Sequence, residues 1–129
     1  MPRKASGHPT ELEIAILGVL WDRGPSTVRQ VHDALSRGRD TVYSSTVKMM
    51  QVMVDKGLLR RDESVRPQTY APAVSQEQTQ AQMLDDLIVR VFGGSARKLV
   101  LRAVQSERVT ADELAEIRRL LRRAEGEKR

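Results

Sequence analysis

Apolar residues recur with a helical period at the start of the chain and again through its second half, and a shorter period appears only between them. Thr10 followed by Glu13 has the form of a capping box, and Ile14, Leu17, Leu20 and Trp21 line one side of the helix it opens. "RGPS", Arg23 to Ser26, ends that helix. Ser26 or Thr27 then caps a second one, "VRQVHDALSRG", with Val28, Val31 and Leu35 as its inner stripe and Gly38 as its stop. A third helix starts near Ser44, within "STVKMMQVMVDKGLLRR". At about 100° per residue, Thr46, Met49, Met50, Met53 and Gly57 gather on one side, with Tyr43 and Val54 at its edge. Ser44, Lys48, Gln51 and Asp55 gather on the other, and Val47 and Val52 sit on or beside that polar half. After Gly57, "LLRRDESVRPQTYAPA" reads as two short extended runs around a polar turn near Asp62 to Arg66, a β-hairpin.

From Ser75 onward the pattern is helical throughout. "EQTQAQMLDDLIVRVFGG" places Leu84, Leu87, Ile88 and Val91 at i, i+3, i+4 and i+7 before a Gly pair. "SARKLVLRAV" offers Ser95 as a cap and an arc of Leu99, Val100, Ala103 and Val104, and Thr110 with Glu113 forms a second capping box ahead of Leu114, Ile117, Leu121 and Ala124. These three amphipathic helices have Phe92 as their only aromatic and are too short to close a core alone, whereas two intertwined copies would close one. Leu84, Leu87, Ile88, Val91, Leu99, Val100, Leu114, Ile117 and Leu121 are therefore the candidate homodimer interface. Helices folding back on their own N-terminal domain are the alternative.

Three helices and a hairpin within about 65 residues follow the order of a winged helix-turn-helix domain. The expected fold class is mainly α with a small β-hairpin, a winged-helix DNA-binding domain over residues 1–74 followed by a helical dimerisation domain over 75–129. In such a domain the third helix enters the major groove of double-stranded DNA and the hairpin flanks it as a wing. Ser44, Ser45, Lys48 and Gln51 would then offer hydrogen bonds to base edges or phosphates, and Val47 and Val52 would touch thymine methyl groups. Tyr43 and Thr46 complete the candidate DNA-binding set on that helix. Thr27 and Arg29 join it from the second helix, and Arg60, Arg61 and Arg66 from the wing, where only backbone or minor groove lies in reach. Periodicity fits equally a small helical domain that buries Val47 and Val52 internally, or a protein-interaction module whose third helix binds another helix without DNA.

Composition adds exclusions more than assignments. Net charge +5 favours a polyanionic partner, but the halves are alike: 11 Lys/Arg against 8 Asp/Glu up to Val74, and 11 against 9 beyond it. Only the grouping of Arg29, Arg37 and Arg39 around the second helix, and of Arg60, Arg61 and Arg66 at the wing, places positive charge locally. The absence of cysteine excludes disulfides, thiolate metal sites and a Cys nucleophile. The only histidines are His8, near the N-terminus, and His32, read as structural. No HExxH, GxSxG, P-loop or GxGxxG motif occurs, so neither an enzyme nor a cofactor or metal site is expected. "IAILGVLW" is too short to cross a bilayer and "MPRKASGHPTE" has no apolar segment after its basic residues, so a cytoplasmic location without membrane insertion is expected.

"LEIAILGVLW", "TVRQVHDAL", "TVKMMQVMVDKGLLRRDES" and "TYAP" together resemble the BlaI/MecI penicillinase-repressor family, and the similarity continues through "FGGSARKLVL" and "ADELAEIRRLL". The resemblance implies a winged-helix repressor, dimeric through its C-terminal helices, that occupies a dyad-symmetric operator and controls β-lactam-response genes. In some members a membrane sensor metalloprotease triggers cleavage of the repressor at an Asn-Phe bond. The collinear pair here is Arg102-Ala103, so the resemblance names no protease for this chain. The copper-responsive branch senses metal through C-terminal cysteines, which this chain lacks, and Val52 stands where many members carry Arg.

Overall fold

The computed structural model describes residues 9–128, which leaves His8 outside the described residues. The chain divides into two compact units, one running to Met83 and the other beginning at Leu84. In the first unit, α1 (Glu11–Arg23), α2 (Val28–Ser36) and α3 (Tyr43–Asp55) precede the antiparallel strands β1 (Leu59–Asp62) and β2 (Thr69–Pro72), followed by the start of α4 (Gln76–Val91). This is a winged helix: three helices and a wing.

Local chemistry accounts for the boundaries. Thr10 Oγ1 accepts from the Glu13 backbone N–H at 3.2 Å while Glu13 Oε1 accepts from Thr10 N at 2.8 Å. Thr27 and Gln30 repeat the exchange at α2, at 3.1 and 2.9 Å. Gly24 ends α1 with φ 86°, and Gly57 turns the chain from α3 into β1 with φ 83°, backbone conformations that a side chain would strain. Ser26 exchanges both backbone hydrogen bonds with Tyr70, at 3.1 and 2.8 Å, which ties the α1–α2 connection to the wing.

The core of this unit consists of Ile16, Leu17, Leu20, Val31, Leu35, Met50, Met53, Leu59 and Tyr70. Ile16 belongs to it, whereas Ile14 and Trp21, expected on the inner stripe of α1, are only partly buried at its edge. Trp21 is retained there because its indole Nε1 donates to the Val74 carbonyl at 3.1 Å, a bond that keeps its polar edge satisfied.

The second unit contains the rest of α4, α5 (Ala96–Gln105) and α6 (Ala111–Glu127). Ser95 caps α5, and the Thr110–Glu113 capping box opens α6. None of its described residues is buried. Leu84, Leu87, Val91, Val100 and Leu121 are all more than 40 % exposed, and Ile88, Leu99, Leu114 and Ile117 are half-buried.

Glu13 does more than cap α1. It is 1 % exposed, and its second carboxylate oxygen accepts from Lys56 Nζ at 2.8 Å, which joins the start of α1 to the end of α3. Burial pushes the Glu13 carboxyl up, but the Lys56 ammonium and the Thr10 donors outweigh it and hold the carboxyl below its ordinary value. A depressed folded-state value contributes stability that is fully present above the ordinary 4.5 and is lost as pH falls through the lower value. Glu13→Gln keeps an acceptor for Thr10 and removes the charge. We expect it to cost about 1–2 kcal/mol at neutral pH and to flatten the decline in stability on the acid side, as read by denaturant unfolding across pH.

Candidate nucleic-acid interface

Packing of α3 decides which of its residues remain for a partner. Thr46, Met50 and Met53 are each at most 1 % exposed, so the helix turns the opposite side outward. Ser44, Ser45, Lys48 and Gln51 are exposed on that side, Val47 is 40 % exposed among them and Val52 half-buried at its margin. Val42, the residue before the helix, makes no side-chain cap, which leaves the Tyr43 and Ser44 N–H groups without a capping acceptor at a positive helix end.

Thr46 leaves the candidate DNA-binding set. Its side chain is buried and its Oγ1 lies 3.0 Å from His32 Nδ1, so it joins α2 to α3 and presents nothing to a groove. The Ser36 hydroxyl donates to the His32 carbonyl at 2.9 Å and lies 3.3 Å from Nε2. With its own hydrogen directed at the carbonyl, Ser36 accepts at Nε2; in the neutral imidazole this leaves Nδ1 to accept from Thr46. His32 also meets the Tyr43 ring edge-on, with centroids 5.4 Å apart, and the Arg29 guanidinium lies 3.9 Å from the centre of that ring. Tyr43 thus touches two α2 side chains at the first turn of α3.

Beside Tyr43 opens a cleft of about 350 Å³ lined by Thr27, Arg29, Arg66, Pro67, Gln68 and Tyr70. It brings the starts of α2 and α3 and the end of the wing turn around one concave surface with two guanidinium groups. Arg60 and Arg66 are exposed, as is Lys48, and among the described residues no hydrogen bond or ion pair holds these three. Arg39 differs, lying 3.5 Å from Glu11.

Arg61 also differs from the other wing cations. In the register Leu59↔Pro72 and Arg61↔Tyr70, alternate residues of β1 face the same way, and Leu59 and Tyr70 are buried. Arg61 shares their side of the hairpin, and its Nη1 donates to Gln51 Oε1 of α3 at 3.0 Å. Its Nε is 3.7 Å from Glu63. The expectation that wing arginines reach only toward DNA misses this contact, although the alternation after Leu59 carries the signal. The wing turn is closed by Asp62, whose Oδ1 accepts from Ser64 N at 2.9 Å and from the Ser64 hydroxyl, bonds that lower its carboxyl value.

The profile of the penicillinase repressor family matches residues 9–123. A protein named transcriptional regulator BlaI from Mycobacterium tuberculosis strain CDC 1551 is 35 % identical over 112 residues, which span 86 % of this chain and 80 % of that relative. The protein of the same name from strain H37Rv matches at the same identity and coverage.

The position of Thr46 separates support from contact. Thr46→Val keeps the volume and leaves His32 Nδ1 without its hydrogen-bond partner, so unfolding free energy should fall by about 1–2 kcal/mol with duplex affinity nearly unchanged once the variant is folded. A groove contact would lower affinity more than stability. Denaturant unfolding and a duplex titration of the same sample distinguish the two.

Proposed function

The chain belongs to the penicillinase repressor family, transcriptional regulators rather than enzymes, and from that premise we propose that it acts as a cytoplasmic homodimer on a dyad-symmetric operator, with α3 as reader and the wing as phosphate clamp. The observation that carries the reading is the outward face of α3, where Ser44, Ser45, Lys48 and Gln51 are exposed, together with the exposed wing residues Arg60 and Arg66, whose side chains no hydrogen bond or ion pair holds among the described residues. Lys48 and Gln51, in the middle turns, reach base edges; the uncapped N–H groups of Tyr43 and Ser44, with Thr27, Arg29 and Arg66 around the adjoining cleft, receive backbone phosphates. Residues 1–74 form the DNA-binding domain and 75–129 the dimerisation domain. The genes under control, in this reading, are β-lactam-response genes.

Dimerisation is supported by the second unit, in which no described residue is buried although its helices carry regular apolar stripes. Such stripes need a second surface, and an identical copy supplies one. Sedimentation of the full chain should give twice its 14.5 kDa mass. Paired substitution of Leu84→Glu and Leu87→Glu should yield a folded monomer whose operator affinity drops at least tenfold, because two half-sites are no longer held by one particle. A dimer that survives both substitutions would place the interface elsewhere.

The ionic part of the reading has its own measure. A dimer that neutralises about 6–10 phosphates should lose affinity with salt along a log–log slope of roughly −5 to −9, and Arg60→Ala or Arg66→Ala should reduce the magnitude of that slope by about 1 per contact. Titrations of the protein with duplex DNA at a series of salt concentrations provide the test. Association independent of salt would favour the protein-interaction reading of α3.

A further inference from the structure

The Arg61–Gln51 hydrogen bond bears on how α3 reads, and the inference drawn from it rests on the proposal that α3 enters the major groove. A guanidinium group carries donors only, so the amide atom it meets at 3.0 Å is the oxygen, and the orientation of the Gln51 amide follows from chemistry. The other side of the guanidinium is engaged by Glu63, and Arg61 is seated by its strand position opposite Tyr70, whose backbone is locked to Ser26. Gln51 itself is exposed on the outward face of α3. One lone pair of its oxygen is therefore occupied by a cation, while among the described residues nothing holds its NH₂ group.

A free glutamine suits adenine, because it can accept from N6 and donate to N7 together. Here an incoming base amino group would have to share Oε1 with a guanidinium, whose N–H groups carry the same sign of partial charge. The same cation polarises the amide and strengthens its N–H₂ as a donor. Guanine offers this donor two acceptors, N7 and O6, and thymine offers O4, whereas adenine sets beside its N7 acceptor an N6 amino group that competes with the guanidinium for Oε1. We infer that Arg61 is a specificity-determining residue that acts through Gln51: it holds the amide as a donor, so that the operator position facing Gln51 presents a guanine or thymine acceptor edge and not adenine or cytosine. Arg61 is thus a positioning residue, coupled to base readout rather than only to phosphate.

The test is selection from a random-sequence duplex pool by the full-length protein and by Gln51→Ala, Arg61→Ala and Arg61→Lys, with base preferences read position by position and folding checked by thermal unfolding. The unsubstituted protein should enrich a dyad motif in which one position per half-site loses its preference in Gln51→Ala. At that position guanine or thymine should exceed adenine about tenfold, and Arg61→Ala should bring adenine to within about threefold while other positions keep their preferences. Arg61→Lys, which still donates to Oε1, should retain the original preference. Adenine at the Gln51 position of the unsubstituted protein would overturn the inference, as would an Arg61→Ala variant that weakens all sequences alike. A motif with no position sensitive to Gln51→Ala overturns this inference and leaves the repressor reading intact; no enrichment by the unsubstituted protein overturns both.

Discussion

The seating of α3 on its Thr46, Met50 and Met53 face is the constraint from which the rest of the first unit follows. These three side chains are enclosed together with Ile16, Leu17 and Leu20 of α1 and Val31 and Leu35 of α2. Turning the helix by one residue, about 100°, would expose a methionine and drive Lys48 or Gln51 toward the core. Withdrawing one buried methionine costs on the order of 2–5 kcal/mol, and burying an unpaired ammonium costs more. The outward set is therefore fixed by what is inside. Glu13–Lys56 at one end of α3 and His32–Thr46 near the other add polar fasteners to the same seat, at 2.8 and 3.0 Å.

How far the fold was legible depended on whether the signal was local. Thr10–Glu13, Thr27–Gln30 and Thr110–Glu113 are pairs three residues apart whose bonds form within one turn, so the helix starts could be read directly. The α3 stripe was legible because helical geometry alone sorts its residues by angle. Where neighbouring elements decide, the reading weakened. Ile16 is buried and Ile14 only partly, because α1 is covered on more than one side and its inner arc is set by its neighbours. Thr46 falls by periodicity on the inner stripe and by residue type among candidate DNA contacts; its hydroxyl finds a partner on α2 that no spacing along α3 announces.

In the second unit the same local signals specify helices without specifying what they pack against. Capping by Ser95 and by the Thr110–Glu113 box defines the starts of α5 and α6, yet no described residue there is buried. Apolar stripes and burial are separate facts. In the first unit the stripes of α1, α2 and α3 meet one another and, with Leu59 and Tyr70 of the hairpin, form the core, whereas from Leu84 onward comparable stripes stay exposed or only half-buried, which is why an external apolar surface is the natural complement to them.

Charge illustrates the same distinction between inventory and placement. The two halves of the chain carry nearly the same excess of positive residues, so net charge gives no location. Placement does. Strand alternation turns Arg60 to the outer side of the hairpin and Arg61 to the side of Leu59 and Tyr70, so two adjacent identical residues acquire different partners, solvent for one and the Gln51 amide for the other. Arg60 is exposed, and among the described residues no hydrogen bond or ion pair holds its side chain. Arg61 has surrendered one donor to an uncharged acceptor and another direction to Glu63, so in the proposed reading its influence on DNA passes through the group it holds. A wing built this way links β1 to α3 through a single hydrogen bond; with α3 as the proposed reader, loss of that bond would alter selectivity without disturbing the core beneath it.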